Sequence, residues 1–500
     1  MTVWRKLGSL LAAALSQSVL AVTPAIAAGD RPDAAVLDEF VQQQSRAIGV
    51  PGVAYAVVGP GGVQHSAAFG VDGDRQEVTT RTAFLWGSVS KPVTATLAVL
   101  LARDGLLDLD ATVARLVPSF TTADRDSAAR ITVRQLLDHT SGLPKGLELT
   151  DRYEAGRGIT SLLPQLADLE PLAPPGSTHA YSSLNYIVLG AVIESVTGQP
   201  FAKILAERLL APAGISSALA DAPRAEQVLP PGHRFLLGGP RAFDTRVDPA
   251  TVPAGYLVGS VNDLAAYART QLPGGPVLDN TERTLLHTAR VVLGDKSRYA
   301  LGWRASQVPG TDEAMIWHGG AAPGYQAAIL LLPERDQAVV MLQNAYGPFH
   351  DTRLMDTALG VASLLTGAEP ERHPTDLAYP ALLAALALLS MVLLALVIVT
   401  VIRLVRGPKP RAIRRRLIGL SLTLLALGAL AFALARLPRL AGVSLGQLPL
   451  WAPDVFWLVQ TALILCAALA VVRILATLVT PEGLGVVRGK PGVRRPRAQV

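Results

Sequence analysis

The 500-residue sequence contains a single cysteine, Cys466, so no intrachain disulfide can form. An exported domain of ordinary size does not need one. Because Cys466 stands in an apolar run, we interpret it as a lipid-facing or packing residue without a redox role. Charge is also absent from three long stretches near the C-terminus, 381–402, 417–435 and 455–472. A buried helix of a soluble protein rarely runs so far without a charged residue. We therefore predict that these three stretches span a membrane.

Positive charge is concentrated at one end of the chain. Residues 371–500 hold 16 Lys and Arg against 4 Asp and Glu, so this part carries +12, while the whole chain carries +6. Residues 1–370 therefore carry −6, which argues against a nucleic-acid-binding surface on the folded domain. The eight histidines form no His-Glu-x-x-His motif and no other close ligand pair. No nucleic acid, metal or cofactor is expected as a partner.

The N-terminus has the pattern of a secretory signal. Arg5 and Lys6 precede an apolar run at 7–22, and Ala25-Ile26-Ala27 offers a small-x-small cleavage site. We predict a signal peptide at 1–27, with an uncleaved N-terminal anchor as the alternative. A domain that begins at residue 28 is then exported.

The basic residues around the three predicted spans indicate their orientation. Seven lie between the first and second spans, and five lie at 488–497 after the third span, whereas the remaining loop has only Arg436, Arg439 and Asp454. The two basic groups are Arg403, Arg406, Lys409, Arg411, Arg414, Arg415 and Arg416, and Arg488, Lys490, Arg494, Arg495 and Arg497. Because basic loops stay on the cytoplasmic side, we predict an extracytoplasmic domain at 28–370 and a membrane module at 371–500 with a cytoplasmic tail. The span cores hold no charged side chain, which favours anchoring over transport.

Strand-like segments lie at both ends of the exported domain. Runs at 53–58 and 63–69 are separated by a Gly-Pro-Gly-Gly turn, and runs at 327–332 and 338–342 are separated by five residues that begin with proline. Each pair has the pattern of a β-hairpin. The two hairpins predict an antiparallel sheet built from both chain ends.

Helical periodicity appears between these hairpins, for example at 93–103 and 186–197. The Pro/Gly-rich stretch 229–239 predicts a surface loop. Helices between two groups of strands indicate a helical lobe inserted into the sheet domain.

The strongest chemical signal is Gly87-Ser88-Val89-Ser90-Lys91. A serine hydroxyl is a weak nucleophile until a neighbouring base takes its proton. On a helix, positions i and i+3 lie on one face, so Ser88 and Lys91 can meet if a helix begins here. A helix N-terminus also stabilises developing negative charge. Ser-x-x-Lys alone is common, and a helix-starting serine beside an unrelated lysine is the alternative at this point.

The motifs that follow in order resemble those of the serine β-lactamase-like family, which includes class C β-lactamases, D-alanyl-D-alanine carboxypeptidases and related esterases. The resemblance covers roughly residues 35–365. It is carried by Gly87-Ser88-Val89-Ser90-Lys91-Pro92, Leu136-Leu137-Asp138-His139-Thr140-Ser141-Gly142-Leu143-Pro144, Tyr181-Ser182-Ser183-Leu184-Asn185-Tyr186, Ala254-Gly255-Tyr256, Leu301-Gly302-Trp303, His318-Gly319-Gly320 and Pro323-Gly324-Tyr325. It implies an α+β fold (an α/β sandwich), in which an antiparallel sheet is flanked by helices and joined to an all-helical lobe, followed here by the three membrane helices.

The resemblance implies catalytic roles for three residues. Ser88 attacks a carbonyl and becomes acylated, and Lys91 takes or relays the proton. Tyr181 matches the tyrosine of the family's Tyr-x-Asn motif, which passes a proton to the leaving group. His139 belongs to a motif that the family uses structurally, so we interpret it as a scaffold residue.

The substrate-binding positions follow from the same resemblance. His318, with Gly319 and Gly320, matches the Lys-Thr-Gly strand that many esterase and peptidase relatives carry as His-x-Gly. Glycine there lets a substrate approach the backbone closely. The implied oxyanion hole consists of the amides of Ser88 and Ala321.

Two departures from the family pattern bear on the substrate. Ser183 stands where the Tyr-x-Asn motif has asparagine, and it offers one polar atom instead of two. Asn185 matches a different family position and is not an obvious substitute. His318 in place of lysine weakens the expected grip on a substrate carboxylate, because an ordinary histidine is mostly neutral at pH 7. Both changes argue against an efficient β-lactamase.

These patterns predict a membrane-anchored serine hydrolase that works through an acyl-enzyme on Ser88. The expected substrate is a small ester or a D-amino-acid peptide of the cell wall, with a β-lactam as a further option. The alternative is a penicillin-recognising sensor or binding module with little turnover, and a domain without activity is a third reading. The oligomeric state is left open.

Overall fold

The computed structural model describes residues 32–146, 149–154, 156–371, 377–406, 413–440 and 443–478. Its contacts divide the chain into two compact units, one of Met1–Tyr379 with Leu450–Ala452 and the other of Pro380–Pro449 with Pro453–Val500. The predicted signal peptide at 1–27 lies outside the described residues. The domain limits inferred from the sequence stay predictions.

The first unit contains both strands and helices. Its strands are β1 Gly52–Gly59, β2 Gly62–Gly70, β3 Phe84–Leu85, β4 Gly232–Leu236, β5 Gly239–Phe243, β6 Val258–Gly259, β7 Val291–Gly294, β8 Ser297–Tyr299, β9 Arg304–Gln307, β10 Ala314–Ala322, β11 Tyr325–Leu332, β12 Gln337–Gln343 and β13 Ala345–Tyr346. Its α-helices are α1 Ala34–Ile48, α2 Ser90–Arg103, α3 Val113–Leu116, α4 Arg125–Arg130, α5 Val133–Leu137, α6 Leu163–Leu166, α7 Ser183–Thr197, α8 Phe201–Leu205, α9 Ala222–Val228, α10 Val252–Gly255, α11 Val261–Gln271, α12 Asn280–His287 and α13 Asp351–Leu365.

Eight antiparallel strands form the main sheet, in the order β2-β1-β12-β11-β10-β9-β8-β7. The two chain ends meet where β1 pairs with β12, with Val53 opposite Gln343. Both predicted hairpins are present, as β1–β2 and as β11–β12. The prediction of one antiparallel sheet made from both ends of the domain is therefore confirmed.

Helices cover both faces of this sheet. On one face, buried side chains of α1 and α13 pack against alternate residues of the central strands, as Val41 and Val361 do with Val57 and Met341. The other face packs against the larger hydrophobic cluster, which includes α2, α7 and α11. Because both faces are buried, β1 is apolar along its whole length instead of alternating with polar residues.

The helical lobe lies between β3 and β6 in the chain and contains α2 to α10. The helices predicted at 93–103 and 186–197 are confirmed as α2 and α7. Helix α7 begins where Ser182 accepts a hydrogen bond from the Leu184 amide, and it ends at Gly198 in the left-handed conformation, with φ 65°. The N-terminus of α7 thereby follows Tyr181 directly.

The surface loop predicted at 229–239 is wrong in part, because Gly232–Leu236 forms strand β4. This strand pairs with β13 in parallel and with β5 in antiparallel orientation. A β-carbon at Gly232 would lie 2.7 Å from the carbonyl oxygen of Gly324. The glycine that is typical of a loop is therefore required because β4 lies close to the backbone of the turn between β10 and β11, which is a tertiary contact.

Most of the second unit is formed by three long apolar helices, α14 Ala378–Val405, α15 Ile413–Leu440 and α17 Pro453–Leu478. The short helix α16 Leu448–Trp451 precedes the last of them in the chain. Each long helix has at least 26 residues and a strongly apolar window. Since about 20 helical residues cross a hydrocarbon core of roughly 30 Å, all three are long enough to span a membrane. The predicted stretches 381–402, 417–435 and 455–472 fall inside them.

Candidate active site

A short helical turn places Ser88 at the mouth of the candidate site. The 3₁₀ turn Gly87–Val89 runs directly into α2. The preceding residue, Trp86, is anchored twice, since its amide donates to Leu257 O at 2.9 Å and its indole Nε1 donates to Gly259 O at 3.1 Å. Ser88 remains partly exposed on this fixed turn, so its hydroxyl is available to a substrate.

Lys91 follows one turn later and is fully buried. Its Nζ donates to Ser88 Oγ at 3.1 Å, to Ser183 Oγ at 3.4 Å and to Ala254 O at 2.7 Å. All three acceptors are neutral oxygens. The Ser-x-x-Lys spacing thus brings the amine and the hydroxyl together, as the sequence predicted.

Tyr181 and Ser183 approach the same amine from the start of α7. The centroid of the Tyr181 ring lies 5.0 Å from Lys91 Nζ. Ser183 stands where the family has asparagine, and its single hydroxyl contacts Lys91. One neutral side chain at this position reaches the lysine but provides no second polar atom for a substrate.

Asn185 does not substitute for that asparagine. It is fully buried, accepts a hydrogen bond from Ser141 Oγ at 2.5 Å and places its Nδ2 2.8 Å from Nδ1 of His139. His139 also accepts from the Ser182 amide at 3.3 Å. This buried group ties the segment around His139 to the first turn of α7.

Strand β10 forms the opposite side of the candidate site. A β-carbon at Gly320 would lie 2.1 Å from Trp86 O, and one at Gly87 would lie 2.6 Å from the Ala321 amide nitrogen. Only glycine allows the two backbones to come this close. The Ala321 amide is therefore held beside the turn that carries Ser88.

His318 is buried, with 2% of its surface exposed. Its Nδ1 lies 2.7 Å from Gly319 O and its Nε2 lies 3.2 Å from the Tyr299 hydroxyl. Burial, followed by the charges of Arg304 and Lys91, lowers the pKa of His318 well below its ordinary value. The imidazole is neutral at pH 7, so it supplies no positive charge for a substrate carboxylate.

Arg304 is a neighbour of the site that the sequence reasoning missed. Its guanidinium carbon lies 5.5 Å from the ring centroid of Tyr181, 5.8 Å from that of Tyr299 and 5.5 Å from that of Trp317. Among the residues that the structure describes, it has no carboxylate within 4 Å. The available signal is its position directly after the Leu301-Gly302-Trp303 motif.

The structure brings all the predicted site residues into one region. Five of them contact each other or a shared neighbour through their side chains: Ser88, Lys91, Tyr181, Ser183 and His318. The other two, Gly320 and Ala321, lie beside the turn that carries Ser88 through their backbone. In the part of the chain that the structure describes, no group of three or more potential metal-ligating side chains occurs. The catalytic and binding roles of these residues stay predictions.

Comparison with known proteins gives the family. The β-lactamase family profile matches residues 37–363. The chain is 30% identical to penicillin-binding protein 4 of Amycolatopsis lactamdurans over 325 residues, which cover 59% of this chain and 81% of the relative. It is 26% identical over 326 residues to the unguisins hydrolase ungD' of Aspergillus campestris, covering 61% of this chain and 60% of that relative. The chain thus spans less than two thirds of the second relative.

The solved structures with a similar fold also include a penicillin-binding protein homologue. The octameric penicillin-binding protein homologue from Pyrococcus abyssi superposes with a TM-score of 0.59 at 23% identity, over 71% of this chain and 82% of the other. This likeness confirms the predicted sheet-and-helix fold. The match to the family profile shows that the chain belongs to the β-lactamase family of hydrolases related to penicillin-binding proteins.

Proposed function

We propose that the protein is a membrane-anchored serine hydrolase that acts outside the cytoplasmic membrane through an acyl-enzyme on Ser88. The observation that carries the proposal is the 3.1 Å hydrogen bond from Lys91 Nζ to Ser88 Oγ, made by a lysine that is fully buried. A hydroxyl needs an adjacent base to become a nucleophile, and Lys91 is the nearest amine.

The proposed reaction has two stages. Ser88 Oγ attacks the substrate carbonyl carbon, and its proton passes to the Lys91 and Tyr181 pair. The carbonyl oxygen gains negative charge, which the amides of Ser88 and Ala321 stabilise. The bond to the leaving group then breaks, and the leaving group departs with the proton. Water subsequently attacks the ester on Ser88, releasing the acid and restoring the hydroxyl.

The charge around the site favours a substrate that carries a carboxylate. Arg304 packs against the Tyr181 ring, and within the described residues it makes no ion pair at 4 Å or less. The nearby acidic group is Asp351: burial raises the pKa of this carboxyl, and the charge of Arg304 partly opposes that rise. His318 is neutral and cannot supply this charge. A planar guanidinium suits bidentate binding of a carboxylate. A D-amino-acid peptide with a free C-terminus is therefore our first substrate class.

A small ester is the second class, and Ser183 favours it. The shorter side chain removes the second polar atom that an amide substrate would use. A β-lactam is less favoured for the same reason. The relatives support acyl chemistry in general, since one is named a penicillin-binding protein and another a hydrolase.

The location is also a proposal. The helices α14, α15 and α17 are apolar enough to anchor the chain, and the basic segments beside the predicted spans support an extracytoplasmic catalytic domain with a cytoplasmic C-terminus. The predicted span cores 381–402, 417–435 and 455–472 contain no charged residue, which favours anchoring as the role of these helices.

The test is acylation and turnover by the full-length protein in detergent. Peptides ending in D-Ala-D-Ala, their C-terminal amides, p-nitrophenyl esters and a chromogenic cephalosporin are assayed, and a fluorophosphonate probe is located by mass spectrometry. We expect label on Ser88 and hydrolysis of a peptide or an ester.

The matched variants are Ser88→Ala and Ser161→Ala, because Ser161 is an exposed serine of the same domain. We expect Ser88→Ala to abolish labelling and turnover and Ser161→Ala to retain both. Stable acylation without turnover would support the binding-module alternative instead. Absence of both label and turnover, with the fold intact, would refute the proposed function.

A further inference from the structure

A cavity that none of the candidate active-site residues lines, the second cavity, lies on the face of the main sheet that α11 covers. It has a volume of about 390 Å³ and is bounded by the end of α11, by α12 and by the strands β10 and β11. Its floor is apolar and includes Leu272, Ile316 and Leu331, while the α12 side is polar. Small-molecule sites commonly have this size and this mixture of surfaces.

The polar side contains a buried cation. Arg283 is only 9% exposed, and its guanidinium donates to Leu278 O at 2.6 Å and to Asn280 Oδ1. Within the described parts of the chain, no carboxylate lies within 4 Å of it. A buried charge without an oppositely charged partner is costly. A guanidinium has five N–H donors, so Arg283 has donors left that can bind an anion.

The neighbouring groups support a singly charged ligand. His287 lines the cavity, and burial together with the charge of Arg283 lowers its pKa to about 3, so it is neutral at pH 7. Its Nε2 lies 3.1 Å from Gln271 Oε1. Asp336 lies exposed at the rim and disfavours a second negative charge there.

We propose that this cavity binds a small aliphatic monocarboxylate, with the carboxylate on Arg283 and the hydrocarbon on Leu272, Ile316 and Leu331. A carboxylate matches the fork of the guanidinium, and the apolar floor suits a short alkyl chain. The site is separate from the proposed catalytic residues, and the proposal does not depend on hydrolysis at Ser88.

The test is isothermal titration of hexanoate into the full-length protein in detergent, with hexylammonium and hexanol as charge controls. We expect hexanoate alone to bind, and Arg283→Gln to weaken its binding by about tenfold or more, because the charge-assisted hydrogen bonds to the carboxylate are lost. Arg298→Gln, at an exposed arginine of β8, should bind as the wild type does. Ser88→Ala should also bind normally.

A second variant keeps the test decisive if Arg283→Gln perturbs the fold. Thr284 is exposed at the rim of the cavity, so Thr284→Trp should close it without removing the cation, and hexanoate binding should be lost. Absence of binding at millimolar hexanoate would overturn the proposal. So would equal binding of hexanol, unchanged affinity in both cavity variants, or loss of binding in Ser88→Ala.

Discussion

Lys91 Nζ lies 3.4 Å from Ser183 Oγ, at the position where related enzymes carry an asparagine. The serine keeps a contact with the lysine but is one polar group short on the substrate side. We therefore expect Ser183→Asn to raise kcat/KM for amide and lactam substrates relative to esters by about tenfold, the value of one good hydrogen bond of roughly 1.4 kcal/mol.

The measurement is the ratio of kcat/KM for a D-Ala-D-Ala peptide to that for a p-nitrophenyl ester. Ser182→Asn is not a suitable control because Ser182 caps α7, whereas Ser161→Asn is exposed and should leave the ratio unchanged. An unchanged ratio in Ser183→Asn would show that the serine does not limit amide turnover.

Arg304 provides the second prediction. Its guanidinium lies among the rings of Tyr181, Tyr299 and Trp317. Because burial keeps His318 neutral, Arg304 is the cation on this side of the site that can bind a substrate carboxylate. We expect Arg304→Gln to lower kcat/KM for a peptide with a free C-terminal carboxylate by tenfold or more, because a charge-assisted pair contributes roughly 1.5–3 kcal/mol.

The control is the same peptide as its C-terminal amide, which should be hydrolysed at a similar rate by Arg304→Gln and by the wild type. Arg298→Gln, in the neighbouring strand β8, serves as a charge-matched surface variant. Equal losses on the acid and on the amide would assign Arg304 a structural role and remove the argument for a carboxylated substrate.

The third prediction compares two adjacent glycines of β10. A β-carbon at Gly320 would lie 2.1 Å from Trp86 O, whereas one at Gly319 would have Met355 Sδ at 3.4 Å and the Trp317 ring at 3.8 Å as its nearest neighbours. Gly320→Ala must push β10 away from the turn before Ser88, at a cost of about 1–3 kcal/mol. We expect it to lower acylation of Ser88 far more than Gly319→Ala does.

Acylation rates and melting temperatures of the two variants check this. If Gly319→Ala is equally damaging, the close approach between β10 and Trp86 does not account for the loss. If both variants react like the wild type, the proposed position of the Ala321 amide in catalysis is wrong.

The sequence was sufficient to predict the residues that meet through local spacing or through a shared family motif. Ser88 and Lys91 are three positions apart on one helix, so their contact depends only on helix geometry. The hairpins β1–β2 and β11–β12 were predicted from apolar runs separated by turn residues. These features depend on neighbours in the chain.

The features that the sequence did not reveal depend on distant contacts. The glycine of strand β4 and the two prolines before it are typical of turns and predict a loop, but pairing with β13 and β5 makes the segment a strand. The sequence does not mark Arg304 as a site residue, because an arginine in a strand is common. Its position becomes distinctive only in the fold, where three aromatic rings from separate segments lie around it. Burial of His318 likewise requires the folded sheet, although its neutrality was anticipated from histidine chemistry.

Histidine burial predicts a loss of stability in acid. Burial, with the charge of Arg283, lowers the pKa of His287 to about 3, and burial, with the charge of Arg304, lowers that of His179 to about 4. Above pH 6.5 both rings are neutral in the folded and unfolded chain, and they contribute nothing to the pH dependence. Below pH 6.5 the unfolded chain takes up protons that the folded state excludes, so stability falls by up to about 1.4 kcal/mol per pH unit at His287. The half-buried His179 contributes less, because solvent screens its surroundings.

Thermal unfolding of the full-length protein between pH 7.5 and 4.5 measures this effect. We expect His287→Gln to flatten the decrease in melting temperature below pH 6.5 and to leave its value at pH 7.5 nearly unchanged. A parallel decrease in both proteins would mean that His287 is protonated in the folded state, and the neutral lining of the second cavity would then be wrong.

Membrane orientation is the last prediction, and it follows from the distribution of basic residues. With Cys466 replaced by serine, cysteines are introduced singly at Ser161 in the catalytic domain and at Lys409 between the first two predicted spans. Ser161 is exposed, and Lys409 belongs to the seven-residue basic group that should remain in the cytoplasm. A membrane-impermeant maleimide added to intact cells or spheroplasts should therefore label the Ser161→Cys variant and should label Lys409→Cys only after lysis. The reverse pattern would place the catalytic domain in the cytoplasm. It would exclude an extracellular peptide as the substrate, because Ser88 could then be acylated only by a cytoplasmic compound.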